Sequence, residues 1–470
     1  MTSNAIHFGT SGWRGVIGDE FTFPGVRLAA AAIADHARGL KKKPTILVGY
    51  DTRFFSEEFA RAAAETLRAN GCGVLFCGAP APTPAMAYEV RRAKLDGVVN
   101  ITASHNPAEY NGLKFSGPDG GPALPEVTRD IEARVEKLAA KSAYGPGNEA
   151  EEGFTAADPR EAYLARLGEL VRFETIRAAK LSFAYDALHG CGAGYLDRVL
   201  ESHGIACAAI RTGRDVLFDG GGPDPSEENL ARLRDAVREH GAAAGLATDG
   251  DADRFGILDR DGTFISPNHV LALLYDYVVE TRSWKLGAAR SVATTHLMDA
   301  AARIHGAPLY ETPVGFKYIG ALIEQDKIAV GGEESAGLTI RGHVPEKDGI
   351  LACLLVAEMI AARRAPIAEQ LRDLFRRVGG EYWPIRVNLH LEESVRLGLA
   401  EKLRGEFVEF AGRRVARTGR VDGLQLIFED GAWLLMRPSG TEPLIRIYAE
   451  GASPGESQQL AAAARAWVLR

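Results

Sequence analysis

Three carboxylates are spaced two residues apart in the segment TDGDADRFG, residues 248–256: Asp249, Asp251 and Asp253. After the apolar run AAAGLA, this spacing predicts three side chains on one side of an extended segment. Like charges held this close repel one another unless a cation neutralises them. Mg²⁺ prefers oxygen ligands and commonly keeps positions open for a substrate phosphate. The segment therefore predicts a magnesium site.

Other acidic motifs, and a plain solvated turn, are alternatives for the same segment. An EF-hand loop needs Gly at its sixth position and Glu at its twelfth, where this chain has Arg254 and Arg260. The DxDx[TV] motif of haloacid-dehalogenase-type phosphatases needs Thr or Val where Asp253 stands. The sequence favours a magnesium site over both motifs.

A serine follows another apolar segment. The run LDGVVNI, residues 95–101, predicts a buried strand, and Ser104, His105 and Asn106 come soon after it. Taken alone, a serine in this position is most simply a cap or turn residue, and no G-x-S-x-G motif surrounds it. If the aspartate segment holds Mg²⁺, a phosphorylated Ser104 could add ligand oxygens, and the metal would polarise a phosphoryl group in transit. That function requires an exposed Ser104.

Two later segments carry groups suited to a phosphate and to a sugar. LLMRPSGTEPLIRIY, residues 434–448, combines backbone N–H groups, hydroxyls and guanidinium groups between two predicted strands, which suits phosphate. IAVGGEESAG, residues 328–337, places carboxylates and a hydroxyl between glycines, which suits sugar hydroxyls. The candidate side chains and backbone groups are Arg437, Ser439, Gly440, Thr441 and Arg446 in the first segment, and Glu333, Glu334 and Ser335 in the second. Solvated turns are the alternative for both.

Composition and charge narrow the class of function. The chain has 470 residues, 46% of them hydrophobic and 25% charged, as in ordinary globular proteins. A net charge of −7 gives no broad electrostatic reason to bind nucleic acid or an acidic membrane. The N-terminus has no secretory pattern, and Walker A and dinucleotide-binding motifs are absent. We expect a cytoplasmic protein with small-molecule ligands and neither nucleic-acid nor membrane partners.

The order of predicted elements indicates several domains. A unit of strand, helix closed by glycine, and second strand occurs three times, beginning at TILVGYDTR, LSFAYDAL and SVATTH, and such crossovers favour parallel pairing. The last part of the chain instead contains strands joined by Asp430 and Gly431, a hairpin signal, and a final Ala-rich helix. We predict three α/β domains and one α+β domain, over residues 1–150, 151–262, 263–378 and 379–470.

Together these segments resemble the α-D-phosphohexomutase family, which contains phosphoglucomutases, phosphomannomutases and phosphoglucosamine mutases. The matching motifs run in family order: FGTSGWRG at 8–15, TASHNP at 102–107, NGLKF at 111–115, DGDADR at 249–254, TPVGFKYI at 312–319, GGEESAG at 331–337, EKDG at 346–349 and RPSGTEP at 437–443. The resemblance implies a central cleft between three related mixed α/β domains and a C-terminal α+β domain similar to TATA-binding-protein-like folds.

The resemblance also implies a function for each matched residue. Ser104 would be the phosphoserine and would hold Mg²⁺ together with the three aspartates. The side chains near the transferring phosphoryl group would be Arg14, Lys114 and Arg254, with Lys114 and His105 as candidates for proton transfer. Residues for substrate binding would be Glu333 and Ser335 for the sugar, Arg437, Ser439, Gly440 and Thr441 for the non-reacting phosphate, and Lys317 and Lys347 as basic positions of the glucose-type branch.

The implied reaction interconverts hexose 1-phosphate and hexose 6-phosphate. Phosphoserine 104 gives its phosphoryl group to the free hydroxyl, and the 1,6-bisphosphate turns around and returns the other group, with glucose 1,6-bisphosphate as activator. Glucose is the favoured sugar and mannose the second. The alternatives are a phosphoglucosamine mutase and a non-catalytic sugar-phosphate-binding protein. Ala252 stands where DGDGDR motifs have glycine, which is expected to be tolerated at ordinary backbone angles. The oligomeric state is not predicted.

Overall fold

Four sheets follow one another along the chain. The computed structural model describes residues 6–9, 11–141, 154–439 and 444–470. Among these residues, the first three sheets mix parallel and antiparallel pairs, and the last is antiparallel throughout. The predicted fold class, three mixed α/β units and a C-terminal α+β unit, is therefore confirmed.

The first sheet has six strands in the order β1-β5-β4-β2-β3-β6. Its four strands from β4 to β6 are parallel, and β5 and β1 add antiparallel pairs. The strands are β1 Trp13–Val16, β2 Thr45–Tyr50, β3 Gly73–Cys77, β4 Gly97–Ile101, β5 Tyr110–Ser116 and β6 Thr155–Ala157, and the helices are α1 Phe23–Leu40, α2 Ser56–Ala69, α3 Thr83–Ala93 and α4 Pro125–Lys141. Every residue of β4 is buried, as its apolar run predicts.

The second sheet has five strands in the order β11-β10-β9-β7-β8. The strands are β7 Ser182–Asp186, β8 Ala206–Ile210, β9 Ala244–Thr248, β10 Phe255–Asp259 and β11 Phe264–Ile265. The helices are α5 Arg160–Leu170, α6 Phe173–Ala179, α7 Leu196–Ser202 and α8 Ala231–His240, with 3₁₀ turns at Phe218–Gly220 and Glu227–Leu230. Strands β9 and β10 form an antiparallel hairpin, so the short connection between them lies at one end of these strands.

The third sheet has four strands in the order β13-β12-β14-β15. The strands are β12 Gly287–Ser291, β13 Leu309–Thr312, β14 Ile328–Glu333 and β15 Gly337–Ile340. The helices are α9 Pro267–Arg282, α10 Leu297–Ile304, α11 Phe316–Glu324, α12 Gly349–Arg363 and α13 Ile367–Val378. One hydrophobic core joins the second and third sheets, and the apolar helix α12 lies within it. Among the described residues, no helix is both long and apolar enough to cross a membrane.

The fourth sheet has six antiparallel strands in the order β16-β21-β20-β19-β18-β17. The strands are β16 Trp383–His390, β17 Glu409–Phe410, β18 Arg413–Gly419, β19 Leu424–Phe428, β20 Trp433–Pro438 and β21 Leu444–Gly451, and the helices are α14 Glu393–Lys402 and α15 Pro454–Leu469. Asp430 and Gly431 lie in the turn between β19 and β20, and Gly431 has φ 89°, as the hairpin signal predicts.

Three local expectations were wrong. The segment SVATTH is not a strand, because β12 ends at its first residue, Ser291, and the next residues turn into α10. The aspartate segment is a tight turn between β9 and β10 rather than an extended stretch. Within that turn, Ala252 has φ 56°, so the backbone angle there is left-handed and not ordinary.

Candidate active site

Two side chains of the first sheet face the second domain. Ser104 lies just after β4, and Lys114 lies on β5, paired in register with Asn100 of β4. Ser104 has φ 54°, a left-handed conformation, and its N–H donates to Oγ1 of Thr102 at 2.8 Å. A serine in this conformation needs support from its surroundings.

The hydroxyl of Ser104 donates to Oδ2 of Asp249 at 2.6 Å. Ser104 is only 1% exposed, so the expectation of an exposed serine is wrong. The reason is the second domain, whose turn packs so closely that a Cβ on Gly250 would lie 2.5 Å from the carbonyl oxygen of Ser104. Ser104 is therefore shielded from solvent in this conformation.

Asp249, Asp251 and Asp253 converge in the turn between β9 and β10. All three are buried, and each offers a carboxylate oxygen within 4.8 Å of those of the others. The Oδ1 atoms of Asp251 and Asp253 are buried without a hydrogen-bond partner among the described residues. Unpartnered hard oxygens on clustered carboxylates fit a divalent cation such as Mg²⁺. The described residues thus contain an acidic site that can hold a metal ion.

Two lysines neutralise part of this acidic cluster. Nζ of Lys114 lies 2.6 Å from Oδ2 of Asp251 and 2.8 Å from Oδ2 of Asp253. Nζ of Lys347, from the third domain, lies 3.0 Å from Oδ2 of Asp253 and 3.1 Å from Oε1 of Glu346. Burial would raise the pKa of Asp253, but the two lysines hold it well below its usual range. Three domains therefore meet at Asp253.

Asp249 has the opposite electrostatic environment. Burial, followed by the charges of Asp251 and Asp253, raises the pKa of its carboxyl well above the usual range. Its Oδ1 accepts the backbone N–H of Arg254 at 3.0 Å, and its Oδ2 accepts the Ser104 hydroxyl. A cation at this site would favour the ionised form of Asp249.

Two arginines, Arg14 and Arg254, lie near His105, the residue that follows Ser104. Nη1 of Arg14 donates to Oδ1 of Asn106 at 2.7 Å, and burial, with the charge of Arg254, lowers the pKa of Arg14 to about 10. Nε of Arg254 is buried without a hydrogen-bond partner among the described residues. Nδ1 of His105 lies 3.3 Å from Oγ of Ser104, and burial, together with Arg254 and Arg14, lowers the pKa of His105 well below its usual range. This surrounding favours an anion beside Ser104.

The third domain contributes the sugar-loop candidates. Glu333 ends β14, and its Oε1 accepts the N–H of Gly315 at 2.7 Å. Burial and the neighbouring Glu334 raise the pKa of Glu333 to about 7. Ser335 is half-buried in the turn that follows.

Lys317 and Lys347 occupy different environments in that domain. Lys347 joins the aspartate cluster, whereas Lys317 is half-buried at the start of α11, with its Nζ 5.6 Å from the centre of the Tyr318 ring. Burial lowers the pKa of Lys317, and Glu126 of the first domain opposes that effect. Within the described ranges, Lys317 makes no ion pair with the aspartates.

The fourth domain presents two arginines side by side. Arg437 on β20 and Arg446 on β21 are paired in register, and Nε of Arg437 lies 2.9 Å from Oδ1 of Asp422. Oδ2 of Asp422 accepts the N–H of Val314, so this arginine is tied to the third domain. The N–H of Ser439 donates to the carbonyl oxygen of Leu444 at 2.9 Å. The predicted phosphate-loop residues Gly440 and Thr441 lie outside the described residues.

Two residues that support the metal-site candidate were missed in the sequence. Oγ1 of Thr83 donates to Oδ2 of Asp251 at 2.5 Å, and Nδ2 of Asn100 donates to Oγ1 of Thr83 at 2.7 Å. Asn100 is the one polar side chain in the buried strand GVVNI, and that isolated amide was an available signal. Thr83 gave none, because it opens helix α3 as an ordinary Thr-Pro pair.

Comparisons with known proteins show the family of the chain. The chain matches four family models that are described as phosphoglucomutase/phosphomannomutase: α/β/α domain I over residues 5–142, α/β/α domain II over 161–262, α/β/α domain III over 266–378 and the C-terminal domain over 391–466. The fold and the site thus define a phosphosugar mutase, an enzyme that transfers a phosphoryl group within its substrate. The chain belongs to the phosphoglucomutase/phosphomannomutase family, as the resemblance of its motifs predicts.

Named relatives differ in the sugar that their names give. A phosphoglucomutase/phosphomannomutase of Thermococcus kodakarensis is 30% identical over 454 residues, which is 96% of each chain. A phosphoglucosamine mutase of Thermobifida fusca is 30% identical over 466 residues, 97% of this chain and 96% of that one. A crystal structure from Thermus thermophilus, assigned as a phosphomannomutase, has a TM-score of 0.87 and 33% identity and covers both chains completely. The family is the same in each case, and the sugar is not.

Proposed function

We propose that this enzyme interconverts hexose 1-phosphate and hexose 6-phosphate through a phosphoserine at Ser104 and a hexose 1,6-bisphosphate, with glucose as the preferred sugar and mannose as the second. The observation that carries the proposal is the hydrogen bond from the Ser104 hydroxyl to Asp249, beside a set of carboxylates suited to a cation. Phosphoryl transfer depends mainly on positioning and on charge neutralisation, and this site offers both.

Mg²⁺ would be held by Asp249, Asp251, Asp253 and the phosphorylated Ser104, and when bound it would neutralise charge on the phosphoryl oxygens. The chain's own cations add to this. Arg14 and Arg254 lie near His105, the neighbour of Ser104, where they would hold the equatorial oxygens of the phosphoryl group.

The substrate would be bound by the third and fourth domains. Glu333 and Ser335 would accept and donate hydrogen bonds to the sugar hydroxyls, and Lys317 and Lys347 would approach the sugar phosphate from the third domain. Arg437 and Arg446, with Ser439, Gly440 and Thr441, would hold the phosphate that does not react. Because this phosphate site would be separate from Ser104, either phosphate of the bisphosphate could occupy it, and the reorientation step requires this.

Glucose 1,6-bisphosphate would serve as the activator, because it can phosphorylate Ser104 directly and leave a sugar monophosphate. A phosphoglucosamine mutase is the second candidate, since the Thermobifida fusca relative carries that name at 30% identity. The cytoplasmic location expected from the sequence belongs to the same proposal, and cell fractionation tests it.

Steady-state turnover tests the proposed function. Wild-type enzyme with Mg²⁺ and a trace of the bisphosphate is assayed on the 1-phosphates of glucose, mannose and glucosamine. We expect the highest kcat/KM on glucose 1-phosphate and no turnover by Ser104→Ala. A preference for glucosamine 1-phosphate would select the second candidate, and no turnover of any of the three would contradict both.

A further inference from the structure

Arg53 binds the backbone of the loop that carries Ser104. It follows β2 and is completely buried, with 0% of its surface exposed. It belongs to the motif YDTR, to which neither the sequence nor the proposed reaction assigns a function. A fully buried guanidinium is costly unless all its donors are used.

Most of its N–H groups donate to carbonyl oxygens of one loop. Nη2 donates to the carbonyl oxygens of Ser104 and Asn106, both at 2.6 Å. Nη1 donates to the carbonyl oxygens of Pro107 at 2.8 Å and Tyr110 at 3.1 Å. Four carbonyl groups of residues 104–110 thus converge on a single side chain, which fixes the path of the backbone on both sides of His105.

The guanidinium is itself held rigidly. Its Nε donates to Oδ2 of Asp51 at 3.1 Å, and Oδ1 of the same carboxylate accepts the Ser56 hydroxyl at 2.7 Å. The Phe218 ring of the second domain lies 5.1 Å from the guanidinium carbon, and Nη2 of Arg214 donates to the carbonyl oxygen of Arg53 at 3.1 Å. Arg53 is therefore fixed to the first domain through Asp51 and to the second through Arg214 and Phe218.

This support acts on a backbone that would otherwise relax. Ser104 has φ 54°, which is unfavourable for a residue with a Cβ, and such residues persist where their surroundings hold them. The left-handed turn directs the hydroxyl to Asp249, while Arg53 holds the carbonyl of the same residue. We propose that Arg53 is a positioning residue that holds Ser104 in the conformation needed for phosphoryl transfer and keeps it aligned with the metal-binding turn of the second domain. The inference rests on the proposed function of Ser104.

Arg53→Lys tests this inference, because lysine keeps the charge but has one donor group where arginine has a fork. The matched control is Arg282→Lys, which alters an arginine whose side chain is only 8% exposed and which binds Glu358 and the carbonyl of Leu170, outside the candidate site. Three quantities are compared: the rate at which glucose 1,6-bisphosphate phosphorylates Ser104, followed by intact mass; kcat and KM for glucose 1-phosphate; and amide hydrogen exchange of residues 102–112.

We expect Arg53→Lys to slow phosphorylation of Ser104 and to lower kcat by about 10- to 100-fold, since a misplaced reacting group has an effect of this size. KM should change by less than about threefold, because the proposed substrate-binding residues lie in the third and fourth domains. Amide exchange should rise in residues 102–112 and remain as in the wild type elsewhere. Arg282→Lys should match the wild type in all three.

Wild-type rates and exchange in Arg53→Lys would overturn the inference, and so would equal losses in Arg282→Lys. If Arg53→Lys does not fold, Asp51→Asn tests the inference instead, because it leaves the guanidinium of Arg53 in place but removes the acceptor that orients Nε. Slower phosphorylation of Ser104 with faster amide exchange in residues 102–112 would support the inference. Wild-type behaviour would overturn it. Failure of the wild type to become phosphorylated at Ser104 would instead contradict the proposed function, while the exchange data would still report whether Arg53 holds the loop.

Discussion

Ser104 and Asp249 are 145 residues apart in sequence, yet their side chains share a hydrogen bond of 2.6 Å across the boundary between the first and second domains. The same carboxylate belongs to the cluster that can hold a cation. A hydroxyl bonded to a metal-ligand candidate is already placed where its phosphorylated form could complete the coordination. This contact links the proposed chemistry of one domain to that of the other.

Mg²⁺ should stabilise the folded protein, because it binds the native aspartate cluster and not the unfolded chain. We expect Mg²⁺ to raise Tm by a few degrees and EDTA to abolish both this rise and turnover. Asp251→Asn should lose the rise, as followed by calorimetry. Asp215→Asn is the control, since Asp215 lies in a different cluster with His189 and Asp219. An equal loss of the Mg²⁺ effect in both variants would argue against the aspartate cluster as the binding site.

Lys114 should be needed for the chemical step, because its Nζ bridges two of the carboxylates beside Ser104. We expect Lys114→Met to lower kcat by about 10²- to 10⁴-fold, the range seen when an acid–base or charge-stabilising group is lost. His105→Asn is measured in parallel. The group that moves the proton is the one whose substitution removes the pH dependence of kcat.

The control for this prediction is Lys41→Met, which removes a surface lysine that pairs with Asp96 at 2.8 Å. It should leave kcat unchanged, since exposed ion pairs contribute little. A Lys114→Met enzyme with wild-type kcat would remove Lys114 from the proposed catalytic set.

Glu333 should make both stability and substrate binding depend on pH. Its pKa is raised to about 7 by burial and by Glu334, so the native state holds a proton that the unfolded chain releases near pH 4.5. Stability from this group is therefore complete below pH 4.5 and is lost as the pH rises through 7. Glu333→Gln should be more stable than the wild type at pH 8, by up to about 3 kcal/mol, and equally stable at pH 4.

The same group should weaken substrate binding at low pH, where it stabilises the folded protein. If the ionised carboxylate accepts sugar hydroxyls, KM for glucose 1-phosphate should rise as the pH falls below 7 in the wild type, and Glu333→Gln should have a higher KM with a flatter profile. Denaturant unfolding and steady-state kinetics across pH 5 to 9 measure both effects. Identical pH profiles for the two enzymes would contradict the assignment of Glu333 to the sugar.

Ala252 should tolerate glycine unusually well. Its φ of 56° costs alanine about 1–2 kcal/mol, which offsets the entropic advantage of alanine over glycine of about 0.5–1 kcal/mol. We expect Ala252→Gly to keep or raise the free energy of unfolding. Ala247→Gly, at an equally buried position in strand β9, should lose about 1 kcal/mol or more. A loss in Ala252→Gly as large as that in Ala247→Gly would contradict this explanation.

The fold could be predicted largely because local patterns determine it. The apolar run before Ser104 is the buried strand β4, and the helix predicted after TILVGYDTR is α2, Ser56–Ala69. The prediction of a strand at SVATTH was wrong because a short β-branched run is equally consistent with a strand and with the turn that follows one. Here the apolar strand lies just before it, at Gly287–Ser291.

The site could be predicted in its residue types and only partly in its geometry. The aspartates converge because their turn folds back on itself, and their spacing alone suggested an extended segment. Thr83 and Arg53 gave no signal, since their partners lie 168 and 51 residues away. The Thr83 contact depends on how two domains pack, and the Arg53 contact depends on the tertiary fold of the first domain. The same packing buries Ser104, which the sequence could not indicate.

The most direct test of the account is the mass of the folded, Mg²⁺-loaded protein after incubation with glucose 1,6-bisphosphate, with peptide mapping of the product. We predict the gain of one phosphoryl group on Ser104, which glucose 1-phosphate removes faster than the 1-phosphates of mannose and glucosamine do. Folded protein that takes up no phosphoryl group, or takes it up on a residue other than Ser104, would contradict the account.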